Sequence, residues 1–94
     1  MKIVINESQL DKIIFRFLEH QIKDYPKKKL SDTFIVYGEP PDTQLGLDTV
    51  MNILYVRPEL YELVMRVFSL TNTPTKKVFK DFMETKGYKV EKIL

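Results

Sequence analysis

Leu10-Asp11-Lys12-Ile13-Ile14-Phe15-Arg16-Phe17-Leu18-Glu19-His20-Gln21-Ile22 repeats its apolar residues at steps of three and four, and Thr33-Phe34-Ile35-Val36-Tyr37-Gly38 sets β-branched and aromatic residues in an unbroken run. The first pattern lines one side of a helix, whereas the second suits a pleated strand that stops at glycine. Both signals in one short chain predict an α+β fold.

Working outward from the helix, Asn6 stands at the N-cap position with Gln9 three residues on, close to a capping box, so the helix spans 7–23. Lys2 to Ile5 alternates and is β-branched, a short first strand. Phe15 and Ile22 carry the apolar arc of the helix past Leu18, wider than one sheet face requires. Two readings follow: contact with a second layer of the same chain, or contact with a second chain.

Asp24-Tyr25-Pro26-Lys27-Lys28-Lys29 ends the helix and reads as a charged loop, and Glu39 through Gly46 reads as a loop punctuated by Pro40 and Pro41. The segment 49–56 is ambiguous. Val50, Ile53, Leu54 and Val56 suit a buried strand, the reading adopted here, while Asp48 would equally cap a short helix. Pro58 opens a helix to Leu70 whose apolar residues cover over half its girth, the expected central buried helix. Thr73 caps a last helix begun by Pro74 and ended by Gly87, and Tyr88 to Ile93 alternates as a closing edge strand. The expected architecture is a single two-layer domain over 1–94, in the order β-α-β-β-α-α-β, its second β-β pair resting on 49–56.

A chain of 94 residues fits one core, and its hydrophobic fraction of 44% beside 30% charge argues against disorder. The absence of cysteine removes disulfides, thiolate nucleophiles and Cys-based metal sites, and it fits a reducing compartment. No apolar run reaches the ~20 residues of a membrane span, and the opening lacks the apolar stretch of a signal peptide. The expected location is therefore intracellular, with no membrane partner.

Net charge is only +2, but it is unevenly spread. Residues 1–30 hold seven basic and four acidic groups, 31–70 two and six, and 71–94 six and three. Such asymmetry either neutralises itself within the fold or lets one copy dock on another.

Catalytic chemistry finds little support. His20 is the one histidine, at the margin of the apolar arc beside Arg16 and Glu19, with no cysteine or well-spaced carboxylate to share a metal. Glu39, Asp42 and Asp48 share a loop, yet their spacing and two prolines depart from the alternate ligands of a calcium loop. No glycine-rich run precedes a Lys-Ser or Lys-Thr pair. The expectation is no enzyme, no metal and no cofactor.

Two binding features stand out. Lys27, Lys28 and Lys29 beside Tyr25 would suit phosphates or a protein surface. Residues 58–70, a short turn and 74–86 have helix-turn-helix spacing, with Thr75, Lys76, Lys77 and Lys80 where DNA contacts would fall. Against the latter, Asp81 and Glu84 interleave with those lysines, and the last helix offers no arginine or asparagine for bidentate base reading.

The opening Met1-Lys2-Ile3-Val4-Ile5-Asn6-Glu7-Ser8-Gln9-Leu10 resembles the start of small uncharacterised proteins of tailed phages, notably marine T4-like ones, which begin with a Lys-Ile strand and Glu-Ser-Gln-Leu at the helix entry. Val64 to Leu70 and Phe79 to Tyr88 are similar in style to the tails of such proteins. The resemblance implies a phage-type accessory or virion-associated protein, in the host cytoplasm or the virion, and transfers no catalytic residues.

The expected function is a non-enzymatic protein–protein interaction module, self-associating or docking on a larger assembly. Its expected interface is Phe15, Ile22, Tyr25, Lys27, Lys28 and Lys29. The alternative is nucleic-acid binding through 58–86 and the lysine loop. An enzyme would require a pocket gathering His20 with the acidic loop.

Overall fold

The computed structural model describes the backbone from Glu7 to Leu94, and side chains from Gln9 onward. The expected strand at 2–5 and the cap at Asn6 lie outside the described residues. Helix α1 (Glu7–Ile22) leads into strands β1 (Lys27–Ser31), β2 (Phe34–Tyr37), β3 (Leu45–Asp48) and β4 (Ile53–Val56). Helices α2 (Pro58–Val67) and α3 (Asn72–Thr85) follow, and then β5 (Lys92–Ile93). The chain is α+β, and the expected succession of helix, strands, two helices and closing strand is present, with β1 and β3 added where loops were expected.

The sheet order is β1-β2-β3-β4-β5. The first four strands form an antiparallel meander, and β5 joins β4 in parallel after the α2–α3 crossover. Chain end and β4 are tied by backbone bonds: Glu91 N–H to Asn52 C=O at 2.7 Å, Leu94 N–H to Leu54 C=O at 2.9 Å, and Val56 N–H to Leu94 C=O at 3.3 Å.

Register decides which side chains share a face. Lys27, Tyr37, Leu45 and Val56 form one cross-strand row, and Lys29, Ile35, Leu47, Leu54 and Ile93 form the next. These rows face the helices: Tyr37, Leu45, Leu47, Leu54 and Val56 belong to one core with Ile14, Leu18 and Ile22 of α1, Leu60 and Val64 of α2, and Val78, Phe79, Phe82 and Met83 of α3. Each such side chain contributes roughly 1.5–3 kcal/mol by leaving water.

The central helix is α3, not α2 as the apolar count suggested. Five residues of α3 are buried, Thr75, Val78, Phe79, Phe82 and Met83, against Leu60 and Val64 of α2. Tyr61 of α2 stacks on Phe79 with centroids 5.7 Å apart, and Phe15 of α1 meets Phe82 at 5.8 Å, so α3 lies between its neighbours. Phe17 reaches Phe68 edge-on at 5.3 Å, closing the layer.

Helix ends follow local chemistry with small shifts. Pro58 occupies the first turn of α2 as expected, whereas the N-cap of α3 is Thr71 rather than Thr73. Gly87 takes φ +89° after α3, and Tyr88 N–H donates to Met83 C=O at 3.2 Å, the expected left-handed cap. In the ambiguous segment, residues 53–56 are strand and 49–52 a tight turn. Asp48 Oδ1 accepts the Val50 and Met51 N–H groups at 2.9 Å each, so this aspartate caps a turn, not a helix.

Candidate interaction face

The sheet has a second face. Alternation puts Lys28, Val36, Gly46 and Tyr55 in one cross-strand row there, and Phe34, Asp48, Ile53 and Lys92 in the next. No described helix covers it. An antiparallel sheet with one solvated face normally places polar residues outward. Here Phe34, Val36 and Tyr55 stand instead, with Leu30 beside them, lining a shallow groove of about 430 Å³ with Pro40, Pro41 and Arg57.

Gly46 shapes this groove. A Cβ there would lie 3.0 Å from Cζ and 3.1 Å from Cε1 of Phe34, so the ring occupies the space over the glycine. Phe34 also tilts against Tyr55 with centroids 5.9 Å apart. Val36 is only 1% exposed although it lies outside the main core, whereas Tyr55 remains 40% exposed. The face thus has a small apolar patch of its own.

Charges ring the patch in neutral pairs. Lys28 pairs with Glu39, and Arg57 Nε lies 3.2 Å from Glu59 Oε2 while its Nη1 donates to Pro41 C=O at 3.3 Å. The Lys28 ammonium, by hydrogen bond and charge, holds the Glu39 carboxyl below its usual range. Mixed charge around an apolar centre is the anatomy of a protein-binding surface.

The sequence-derived interface residues divide. Ile22 is 5% exposed and belongs to the core, and Phe15 is half-buried against Phe82. The wide arc of α1 is therefore spent on a second layer within this chain, which corrects the assignment of both residues to free surface. Tyr25 packs at the α1–β1 turn against Gly38: a Cβ on Gly38 would meet Tyr25 Cδ1 at 2.9 Å. Lys27, Lys28 and Lys29 are exposed, but on an edge strand rather than a loop. Lys27 Nζ donates to the Tyr88 hydroxyl at 2.9 Å. Beside that end of β1, Asp24, Glu39 and Asp42 share a hollow with Lys27 and Lys28, which cancels the field a phosphate would need.

On α3, Thr75 is 0% exposed and its Oγ1 donates to Thr71 C=O at 2.7 Å, so it is a packed core residue and not a contact for nucleic acid. Lys76, Lys77 and Lys80 do come together, lining a groove with Lys92, Asp81 and Glu91. Within it, Lys77 Nζ lies 2.8 Å from Asp81 Oδ2.

His20 is exposed on α1. Asp48 sits at the far end of β3 from Glu39 and Asp42. Among the described residues no group of three His, Cys, Asp or Glu side chains is placed to hold a metal ion. No described helix is long and apolar enough to cross a membrane.

Below the sheet, Tyr37 is buried, and desolvation, with smaller contributions from Tyr88 and Glu19, pushes its hydroxyl up to about 12. Lys86 pairs with Glu19 and sits 4.9 Å above the Phe82 ring, pinning α1 to the end of α3. These groups hold elements together.

Sequence reasoning missed Phe34, Gly46 and Tyr55 as a unit, because only strand register places them on one face. Comparison with family models, with curated proteins and with solved structures finds no match for this chain.

Proposed function

We propose that this chain is a non-enzymatic protein-binding module, a phage-type accessory or virion-associated protein, that seats a partner protein on the open face of its sheet. The supporting observation is the apolar patch of Leu30, Phe34 and Tyr55 on a face that no described helix covers, flanked by the Lys28–Glu39 and Arg57–Glu59 pairs. Aromatic anchors inside a polar rim carry most of the energy of protein interfaces.

A photo-crosslinking amino acid at position 55, in cells that make the protein, tests this. The expected result is one discrete protein adduct that disappears with Phe34→Asp and is absent when the probe stands at position 80. No adduct at position 55, or the same adduct from both positions, overturns the reading.

A second reading, nucleic-acid binding, draws on the four lysines Lys76, Lys77, Lys80 and Lys92 that share one groove with Asp81 and Glu91 among the described residues. Binding of duplex DNA that weakens steeply with salt and is lost on Lys76→Glu/Lys80→Glu would favour it.

A further inference from the structure

We propose that β1 is the docking edge for an extended acidic segment of the partner protein, which adds to the sheet as a further strand. The inference rests on the protein-binding reading and names the partner's chemistry.

The backbone comes first. β1 is the outermost of the described strands, and all five of its residues are exposed. Pro26 C=O accepts the Gly38 N–H at 3.3 Å, so residue 26 turns inward to β2. Directions alternate along a strand, so Lys28 turns inward as well, while Lys27 and Lys29 present N–H and C=O outward. An extended peptide supplies the matching alternation of acceptor and donor.

Side-chain charge then selects the peptide. Register puts Lys27 and Lys29 on the helix side and Lys28 on the open side, so an added strand meets a lysine on either face. Glu39 balances Lys28. The Lys27 ammonium donates to the neutral hydroxyl of Tyr88, with Asp24 and Asp42 in the same hollow, and among the described residues no carboxylate pairs with Lys29. Asp24, Glu39 and Asp42 offset the Lys27–Lys28 end, so the excess positive charge of the edge lies at Lys29, and opposite charges across a strand pair are favourable. A second copy of β1 centred on Lys28 would set lysine against lysine, which disfavours self-pairing at this edge. A phosphate chain only accepts hydrogen bonds, so it would leave the outward carbonyls of Lys27 and Lys29 to water.

The edge also joins the groove. The register shifts between Lys29 and Ser31, leaving Leu30 as a bulge whose side chain lines the groove with Phe34, Pro40 and Pro41. A segment on β1 would therefore carry acidic residues opposite the lysines and an apolar residue near Leu30.

The test uses the whole chain and a fluorescein-labelled peptide of alternating glutamate and valine. Its counterparts are a lysine–valine peptide and a single-stranded oligonucleotide. Anisotropy should detect the acidic peptide, and amide exchange at Lys27 and Lys29 should slow on its addition. Lys27→Glu/Lys29→Glu should weaken the acidic peptide by about tenfold or more and admit the basic one. Lys29→Pro, which deletes an outward donor and leaves the β2 bonds in place, should weaken the acidic peptide without loss of fold by circular dichroism. The proposal is overturned if the acidic peptide does not bind, if charge reversal leaves binding unchanged, if amide exchange at Lys27 and Lys29 does not slow, or if the oligonucleotide binds more tightly. A protein adduct at position 55 beside failure of the acidic peptide would sink this inference alone, whereas loss of the adduct sinks the reading beneath it.

Discussion

The ring of Phe34 fills the space that a side chain at Gly46 would need, with Cζ 3.0 Å from the position of the missing Cβ. A strand glycine is usually a weak point, yet here the aromatic ring of the next strand covers it. Gly46→Val should push Phe34 off the sheet and destabilise the fold by about 1–3 kcal/mol, read from chemical denaturation. Phe34→Ala exposes Gly46 and should also loosen β2–β3 pairing, seen as faster amide exchange at Ile35, which pairs with Leu47. A neutral result for Gly46→Val would mean that the ring does not rest there.

Gly38 is constrained differently. Its φ is +92°, and a Cβ would stand 2.7 Å from the Asp42 carbonyl oxygen and 2.9 Å from Tyr25. Gly87 has a similar φ of +89° but open space around it. Gly87→Ala should therefore cost about 1 kcal/mol from backbone strain alone, and Gly38→Ala clearly more, about 2–4 kcal/mol. Thermal melts compare the two, and equal losses would show that the Tyr25 and Asp42 contacts do not restrict the site.

Thr75 tests whether the first turn of α3 is structural or functional. Its hydroxyl is buried and bonded to Thr71 C=O, which also accepts the Thr75 N–H at 3.2 Å. Thr75→Val keeps the shape and removes the hydroxyl bond, so stability should fall by about 1 kcal/mol. Binding to DNA, if any is detected, should be unaffected. Lost DNA affinity in a stably folded variant would contradict the packed role.

Tyr37 predicts an alkaline limit. Its folded-state hydroxyl is raised to about 12 from an ordinary value of 10.0, chiefly by burial. The unfolded chain therefore ionises first, and stability is undiminished below pH 10 but declines as pH rises toward 12. Burial also raises Tyr61, in the same direction. Ultraviolet titration of tyrosinate should find a late-ionising group that Tyr37→Phe removes, and that variant should flatten the decline. Ionisation of every tyrosine near pH 10 in the folded protein would refute the assignment.

What the sequence disclosed follows from which signals are local. Leu10, Ile14, Leu18 and Ile22 announce a helix because their spacing needs no partner to interpret, and Gly87 announces its stop for the same reason. Lys27 to Ser31 carried no strand signal, since an edge strand exposed along its whole length buries nothing and shows no alternation. Leu45-Gly46-Leu47 alternates, but Gly46 and the nearby prolines read as loop; its strand character depends on the Phe34 ring, supplied from another strand. The surplus apolar surface of α1 was visible, while its destination was not, because Phe15 meets Phe82 across 67 residues of chain. The open face was hidden for a related reason: Phe34 and Tyr55 become neighbours only through pairing with β3.

The parallel β5 sets a timetable for biosynthesis. The four-strand meander leaves the ribosome early, but the outer margin of β4 is closed by residues 91–94 and by nothing nearer in sequence. At 5–20 residues per second, roughly 2–8 s separate the emergence of Val56 from that of Leu94. Throughout that interval the nascent chain shows an unsatisfied β4 border to its surroundings, so its window for chaperone capture or mispairing is timed by translation rather than by folding speed.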